Sequence, residues 1–233
     1  MALQDLQLFA FKEGDWSNSG TFVRVCTPVT GVLKAITWQS NATSSADLGI
    51  TVRRNGTIVS GFNIPQITDL DTDGSGVKEF PGNSRVSFEE GDLIMLAGNG
   101  APAADAVVYF GFTIDARPPW NVASIYVDGP VVGTSGAGFV APAWKRGYLD
   151  RIAWNLRNTH ANGTAVISIF KNAVDSGLTF DVINATVDVA GSYGVETFAS
   201  TDLFIDEGDE ITLVSDGGGN ADGALDSQFL VRT

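Results

Sequence analysis

The sequence predicts an all-β protein built as two tandem antiparallel jelly-roll β-sandwich domains that arose by internal duplication. Three observations carry this expectation. The first is a repeated phrase: Gly31-Val-Leu33-Lys-Ala-Ile36-Thr-Trp38 returns as Gly147-Tyr-Leu149-Asp-Arg-Ile152-Ala-Trp154, 147 − 31 = 116 residues later. The second is a second pair at almost the same offset, Glu90-Gly91-Asp92-Leu-Ile94-Met-Leu96 and Glu207-Gly208-Asp209-Glu-Ile211-Thr-Leu213, with 207 − 90 = 117. The third is periodicity, because short alternating runs are punctuated by Gly, Asn, Asp and Pro, and no stretch keeps apolar residues at helical spacing over three turns. A repeat of this length exceeds a solenoid unit and matches one small β domain. About eight strands per copy favour a jelly roll over an immunoglobulin-like sandwich.

The elements follow in order. Residues 6–11 alternate roughly and read as a first strand or an arm, before a turn-rich stretch up to Gly20. Residues 22–26 form a strand that Pro28 ends, and Gly31 turns the chain into a strand over 32–40. Strict alternation cannot hold both Leu33 and Ile36 on one face, so a β-bulge is expected between them. Residues 48–52 alternate cleanly and run into Asn55-Gly56, a strong hairpin signal because both residues tolerate positive φ. A strand over 57–62 follows, then a long acidic loop, residues 86–88, the Glu90-Gly91-Asp92 turn, a strand over 93–97 and a closing strand over 106–114. Domains are expected at 1–116 and 122–233, with residues 117–121 (Arg117-Pro-Pro-Trp120-Asn121) as a stiff spacer. The second copy repeats the order. Ile167 and Ile169 answer Ile50 and Val52, Gly194-Val195 answers Gly76-Val77, and Phe229 answers Phe112.

Composition bounds the function. With 44% apolar residues the 233-residue chain can bury two modest cores, while its longest apolar runs fall far short of a membrane span. A formal charge of −13 opposes nucleic acid and anionic membranes and suits docking onto a basic protein partner. The first residues lack a basic segment followed by an apolar one, so no secretory signal is expected, and the sequons at Asn41, Asn55, Asn162 and Asn184 read as chance products of composition. Cys26 is the single cysteine and is expected to be a buried small hydrophobe.

The ending of each copy resembles the last hairpin of jelly rolls related to the tumour-necrosis-factor and complement C1q heads. Those residues are Gly91-Asp92, Ile94, Leu96 and Phe112, then Gly208-Asp209, Ile211, Leu213 and Phe229. Similar endings occur in structural proteins of tailed bacteriophages, including capsid-decorating (cement) proteins and fibre tips. The resemblance implies a homotrimer that works as a surface or assembly protein of the virion, bound to the major capsid protein.

Candidate chemistry is sparse. His160 is the only histidine, Cys26 lies in the other copy, and no Gly-x-Ser-x-Gly elbow is present, so nucleophilic catalysis is not expected. The pairs Glu89-Glu90 and Asp206-Glu207 could suggest glycoside hydrolysis, but they adjoin the repeated Gly-Asp turn, where acidic residues serve turn geometry. Asp69, Asp71 and Asp73, followed by Gly74, could supply oxygen ligands to Ca²⁺, although the twelfth position is Phe80 rather than an acid. Trp38 and Trp154 occupy equivalent positions and are expected in the cores. Trp16, Trp120 and Trp144 have no counterparts and are the candidates for interdomain, subunit or ligand contacts, a subunit contact first among them. The expected protein is therefore non-enzymatic and needs no cofactor. It decorates a capsid, or, as the alternative, forms a carbohydrate- or receptor-binding module of a tail fibre, and loops 63–85 and 178–198 with the arm 1–20 are its contact surfaces.

Overall fold

The computed structural model describes residues 4–12, 20–40, 48–67, 75–80, 86–98, 108–116, 122–132, 134–156, 163–183, 193–199, 201–218 and 224–233. The chain divides into two compact units, Met1–Arg117 and Pro118–Thr233. All regular structure among the described residues is strand.

Unit 1 contains β1 (Gln4–Lys12), β2 (Gly20–Cys26), β3 (Gly31–Ser40), β4 (Leu48–Arg54), β5 (Thr57–Ile67), β6 (Ser75–Glu79), β7 (Val86–Phe88), β8 (Leu93–Gly98) and β9 (Val108–Ala116). One sheet runs β1-β9-β3-β6, with β7 pairing the start of β3; the other runs β2-β8-β4-β5. Counting β6 and β7 as one interrupted strand gives eight, in the orders 1-8-3-6 and 2-7-4-5. Both sheets are antiparallel, and the orders interleave strands from the two halves of the sequence, which is the double Greek key of a jelly roll.

Unit 2 repeats the topology with β10 (Val122–Val131), β11 (Gly136–Ala137), β12 (Ala141–Pro142), β13 (Gly147–Leu156), β14 (Thr164–Lys171), β15 (Val174–Ile183), β16 (Tyr193–Thr197), β17 (Phe204–Ile205), β18 (Glu210–Ser215) and β19 (Ala224–Arg232). Its sheets are β10-β19-β13-β16, with β17 on β13, and β18-β14-β15, with β11 and β12 sharing the free side of β18. The fold is thus two tandem jelly rolls from an internal duplication.

Alternation builds the cores. In β1, Leu6, Leu8 and Ala10 are buried while Asp5, Gln7 and Phe9 are exposed, so residues 4–12 form an ordinary sheet strand and not an arm. In unit 2, Ile125, Val127, Ile152 and Phe229 of the first sheet meet Ile167, Ile169, Val182 and Leu213 of the second in one apolar cluster. Cys26 is buried, as its small apolar character predicts.

The expected bulge is present in both copies. The register of β3 against β9 shifts between Leu33 and Ala35, and that of β13 against β19 shifts between Leu149 and Arg151. The extra residue carries opposite charge in the two copies. Lys34 pairs with Asp5 at 2.8 Å, whereas Asp150, buried, is held by Arg232 at 2.7 Å and Arg151 at 2.9 Å.

Two boundaries differ from expectation. β5 runs on to Ile67 and β6 covers Ser75–Glu79, while β15 extends to Ile183 and β16 covers Tyr193–Thr197, so the segments 63–85 and 178–198 are not single long loops. Pro65 inside β5 obscured this, yet β5 is an edge strand, where a missing N–H costs little. The second unit's Asn172-Ala173 adopts φ of 51° and 62°, like Asn55 at 49° and Gly56 at 83°, although Ala173 lacks glycine's freedom.

Candidate interaction surface

The repeated Gly-Asp turn is a structural clamp. In unit 1, Asn55 Nδ2 donates to Asp92 Oδ1 at 2.5 Å, and Asn55 Oδ1 accepts from the Leu93 N–H at 2.7 Å. Asp92 Oδ2 accepts from the Glu89 N–H at 2.6 Å and pairs with Arg54 at 2.6 Å. Unit 2 reproduces each contact: Asn172 Nδ2 to Asp209 Oδ1 at 2.7 Å, the Glu210 N–H to Asn172 Oδ1 at 2.8 Å, the Asp206 N–H to Asp209 Oδ2 at 2.7 Å, and Lys171 to Asp209 at 2.9 Å. The β4–β5 and β14–β15 hairpin turns are thereby tied to the turns that precede β8 and β18. Glu89, Glu90, Asp206 and Glu207 are exposed residues of those turns.

Burial disfavours the Asp209 charge, but the Asp206 N–H, Lys171 and Asn172 together outweigh it and hold this carboxyl below the usual carboxylate range. A depressed folded-state value stabilises the fold above the unfolded value, about 3.9 for Asp, and the contribution disappears as pH falls through the folded value. The stability difference between the wild-type chain and Asp209→Asn is therefore expected to shrink steadily below about pH 4. Denaturant titrations of the two at pH 6 and at pH 3 check this.

The same end of unit 2 carries exposed aromatic side chains that have no counterpart at the equivalent described positions of unit 1. Trp144 follows β12 and is 51% exposed; its Nε1–H donates to the Ser124 carbonyl at 2.9 Å, and Lys145 Nζ sits 5.6 Å from its ring centroid. Its neighbour Ala143 is joined to the clamp turn by two backbone bonds, Ala143 N–H to Asp209 O at 2.8 Å and Gly208 N–H to Ala143 O at 2.7 Å. Beyond the clamp, Lys171 Nζ also donates to the Phe204 carbonyl at 2.9 Å. Phe204 packs edge-to-face on Tyr148, with ring centroids 4.9 Å apart, and the two remain 38% and 40% exposed. Val174, the first residue of β15 after the adjoining hairpin turn, is exposed as well.

Thr27 makes the backbone bonds in unit 1 that Ala143 makes in unit 2, which fixes the equivalence at 143 − 27 = 116. At that offset Pro28, Val29 and Thr30 stand where Trp144, Lys145 and Arg146 stand, and Val32 stands for Tyr148. The clamp offset of 209 − 92 = 117 puts Ser87 at the place of Phe204. Two copies of one scaffold share a clamp, and among the described residues at these equivalent positions exposed aromatic side chains occur in unit 2 and not in unit 1.

Of the sequence candidates, Trp144 is one of these exposed side chains. Trp16, Trp120, His160, Asp69, Asp71 and Asp73 lie outside the described residues. Among the described residues no group of three or more His, Cys, Asp or Glu side chains could hold a metal ion. Tyr148, Phe204 and Lys145 were not singled out by sequence reasoning; asking where the two copies differ, instead of where they agree, is the signal that finds them.

No protein-family model matches the chain, and no curated protein matches it. Among solved structures it is similar to the insecticidal delta-endotoxin Cry8Ea1 from Bacillus thuringiensis, at 11% identity over 100% of this chain and 53% of that one, TM-score 0.32. It is also similar to the major capsid protein P2 from bacteriophage PM2, at 10% identity over 98% of each chain, TM-score 0.28. A third is PNGF-II, at 10% identity over 99% of this chain and 65% of that one, TM-score 0.31. The chain spans about half the length of the endotoxin and just under two thirds of PNGF-II. At these scores none of the three carries a functional argument.

Proposed function

We propose that this protein is a non-enzymatic viral structural protein that decorates a capsid as a homotrimer, binding the major capsid protein shell through one end of unit 2. The observation that carries the docking part is that two exposed groups, Trp144 with Lys145 and Tyr148 with Phe204, are each tied to the unit 2 clamp, with no aromatic residue at the equivalent positions Pro28, Val29, Val32 and Ser87 of unit 1. Exposed aromatic residues beside cations are the usual anchors of a protein interface. The clamp beneath them fixes the turns that display them, so little ordering remains to be done on binding. The virion setting rests on the resemblance of the two Gly-Asp hairpin endings to those of phage structural proteins. The non-enzymatic part is supported by the carboxylate pairs, which sit on exposed turns beside the clamp.

Co-sedimentation with undecorated shells of the virus that encodes the chain tests the proposal, with light scattering to measure its mass. Binding is expected, and Trp144→Ala or Phe204→Ala should weaken it about thirtyfold, the equivalent of one anchor worth about 2 kcal/mol. A chain that stays in the supernatant, or variants that bind like the wild type, would end this reading. A monomer in solution would remove the trimer from it.

A further inference from the structure

A second exposed aromatic surface lies on unit 1, on the outer face of the sheet β1-β9-β3-β6. Phe9 and Tyr109 are 43% and 57% exposed on neighbouring strands, and the register places them diagonally, since Phe9 faces Gly111 and Tyr109 faces Phe11. The next strand, β3, continues this part of the face with Thr37, opposite Gly111, and Gln39, opposite Tyr109. Gln7 and Thr113 form the row below, joined by a 2.8 Å bond from Gln7 Nε2 to Thr113 Oγ1. At the centre Gly111 contributes no side chain. A Cβ there would meet Thr37 Oγ1 at 2.5 Å and lie 3.7 Å from Phe9 Cε1, so the Phe9 ring leans across the glycine and the centre stays flat.

The chemistry of this face is specific. Two rings lie among amide and hydroxyl side chains and the exposed Val77, and the rows of Phe9 and Tyr109 carry no charged group. The row of Gln7 and Thr113 runs through Ala35 to Glu79, an exposed carboxylate on β6, the edge strand of the sheet. A polyanion would meet the net charge of −13 with no cation in these rows to offset it. A neutral, hydroxyl-rich polymer suits the face: its apolar ring faces can stack on aromatic side chains, and its hydroxyls can exchange hydrogen bonds with Gln, Thr and Tyr. Among the described residues unit 2 has no such platform. At the offset of 117, Tyr126 and Asp226 replace Phe9 and Tyr109, and they are hydrogen-bonded to each other, with Asp226 buried.

We infer that the outer face of the first sheet of unit 1, centred on Phe9 and Tyr109, binds a neutral polysaccharide by stacking its sugar rings. The inference is independent of the shell contact, because it uses residues of unit 1 only. Native electrophoresis of the full chain through gels containing laminarin, hydroxyethylcellulose, xylan, galactomannan or dextran tests it. Retardation is expected in at least one gel. Phe9→Ala and Tyr109→Ala should each weaken it about tenfold, Tyr109→Phe should keep most of it, and Trp144→Ala should leave it unchanged. Both alanine variants alter exposed positions, and their thermal transitions confirm that they fold. Unretarded migration in all five gels overturns the proposal, as does retardation that survives both alanine variants. A particle mass that falls on Tyr109→Ala would also overturn it, by identifying the face as a contact between copies.

Discussion

Asp92→Ala is expected to destabilise unit 1 by about 3–4 kcal/mol, the largest effect of any single polar substitution in the clamp. Asp92 is 8% exposed, and its carboxylate receives the Asn55 amide, the Glu89 N–H and the Arg54 guanidinium. Truncation removes the acceptor and leaves these donors without it in a place where water reaches poorly, and charge-assisted bonds are worth about 1.5–3 kcal/mol apiece before non-additivity reduces the sum. Asp92→Asn keeps an acceptor oxygen but loses the charge, so about half the loss is expected. The homologous Asp209→Ala should lose less, about 2 kcal/mol, because the hydrogen bonds around it are open to solvent. Denaturant unfolding of the three variants measures the order. A loss for Asp92→Ala no greater than that for Asp209→Ala would contradict the role given to burial.

The second large effect is expected at a glycine. Gly76 and Gly194 face Trp38 and Trp154 directly across the sheet. A Cβ on Gly194 would lie 2.9 Å from Trp154 Cζ2 and 3.1 Å from Cε2, and one on Gly76 would overlap the Trp38 ring. Trp154 is 4% exposed within the unit 2 core, so its indole cannot swing aside into solvent, whereas the half-buried Trp38 has room to move. Gly194→Val is therefore expected to cost about 3 kcal/mol through overpacking, and Gly76→Val less. A double-mutant cycle separates clash from strand propensity. Trp154→Leu opens the space, so Gly194→Val should cost at least 1 kcal/mol less in that background. Additive losses would show that the tryptophan is not what the glycine accommodates.

These pairs explain what the duplication preserved. Gly31 to Trp38, Gly76-Val77 and Glu90 to Leu96 recur because the bulge, the ring-on-glycine contact and the clamp are each satisfied inside one unit. Every such contact constrains residue type at both of its ends. Repetition in sequence was therefore legible as fold, and the bulge between Leu33 and Ile36 followed from alternation alone.

The proposed interaction surfaces were less legible. Trp144 stood out because a large residue without a counterpart is conspicuous, but Tyr148, Phe204, Phe9 and Tyr109 are ordinary strand residues in sequence. Whether a strand aromatic points into a sandwich or out of it depends on register, and a one-residue shift exchanges the faces. Bulges make such shifts within β3 and β13.

By itself the sequence determined an acidic, duplicated β protein, most of its strands, its hairpin turns and the buried Trp154, because alternation, turn chemistry and repetition are local or internally copied signals. Only the tertiary structure decided that Asn55 and Asn172 serve Asp92 and Asp209, that Gly76 and Gly194 make room for indoles, and that exposed rings gather at one end of unit 2 and on one face of unit 1. The physical reason is that these relations join residues tens of positions apart, brought together by the pairing of sheets and by no property of either residue alone.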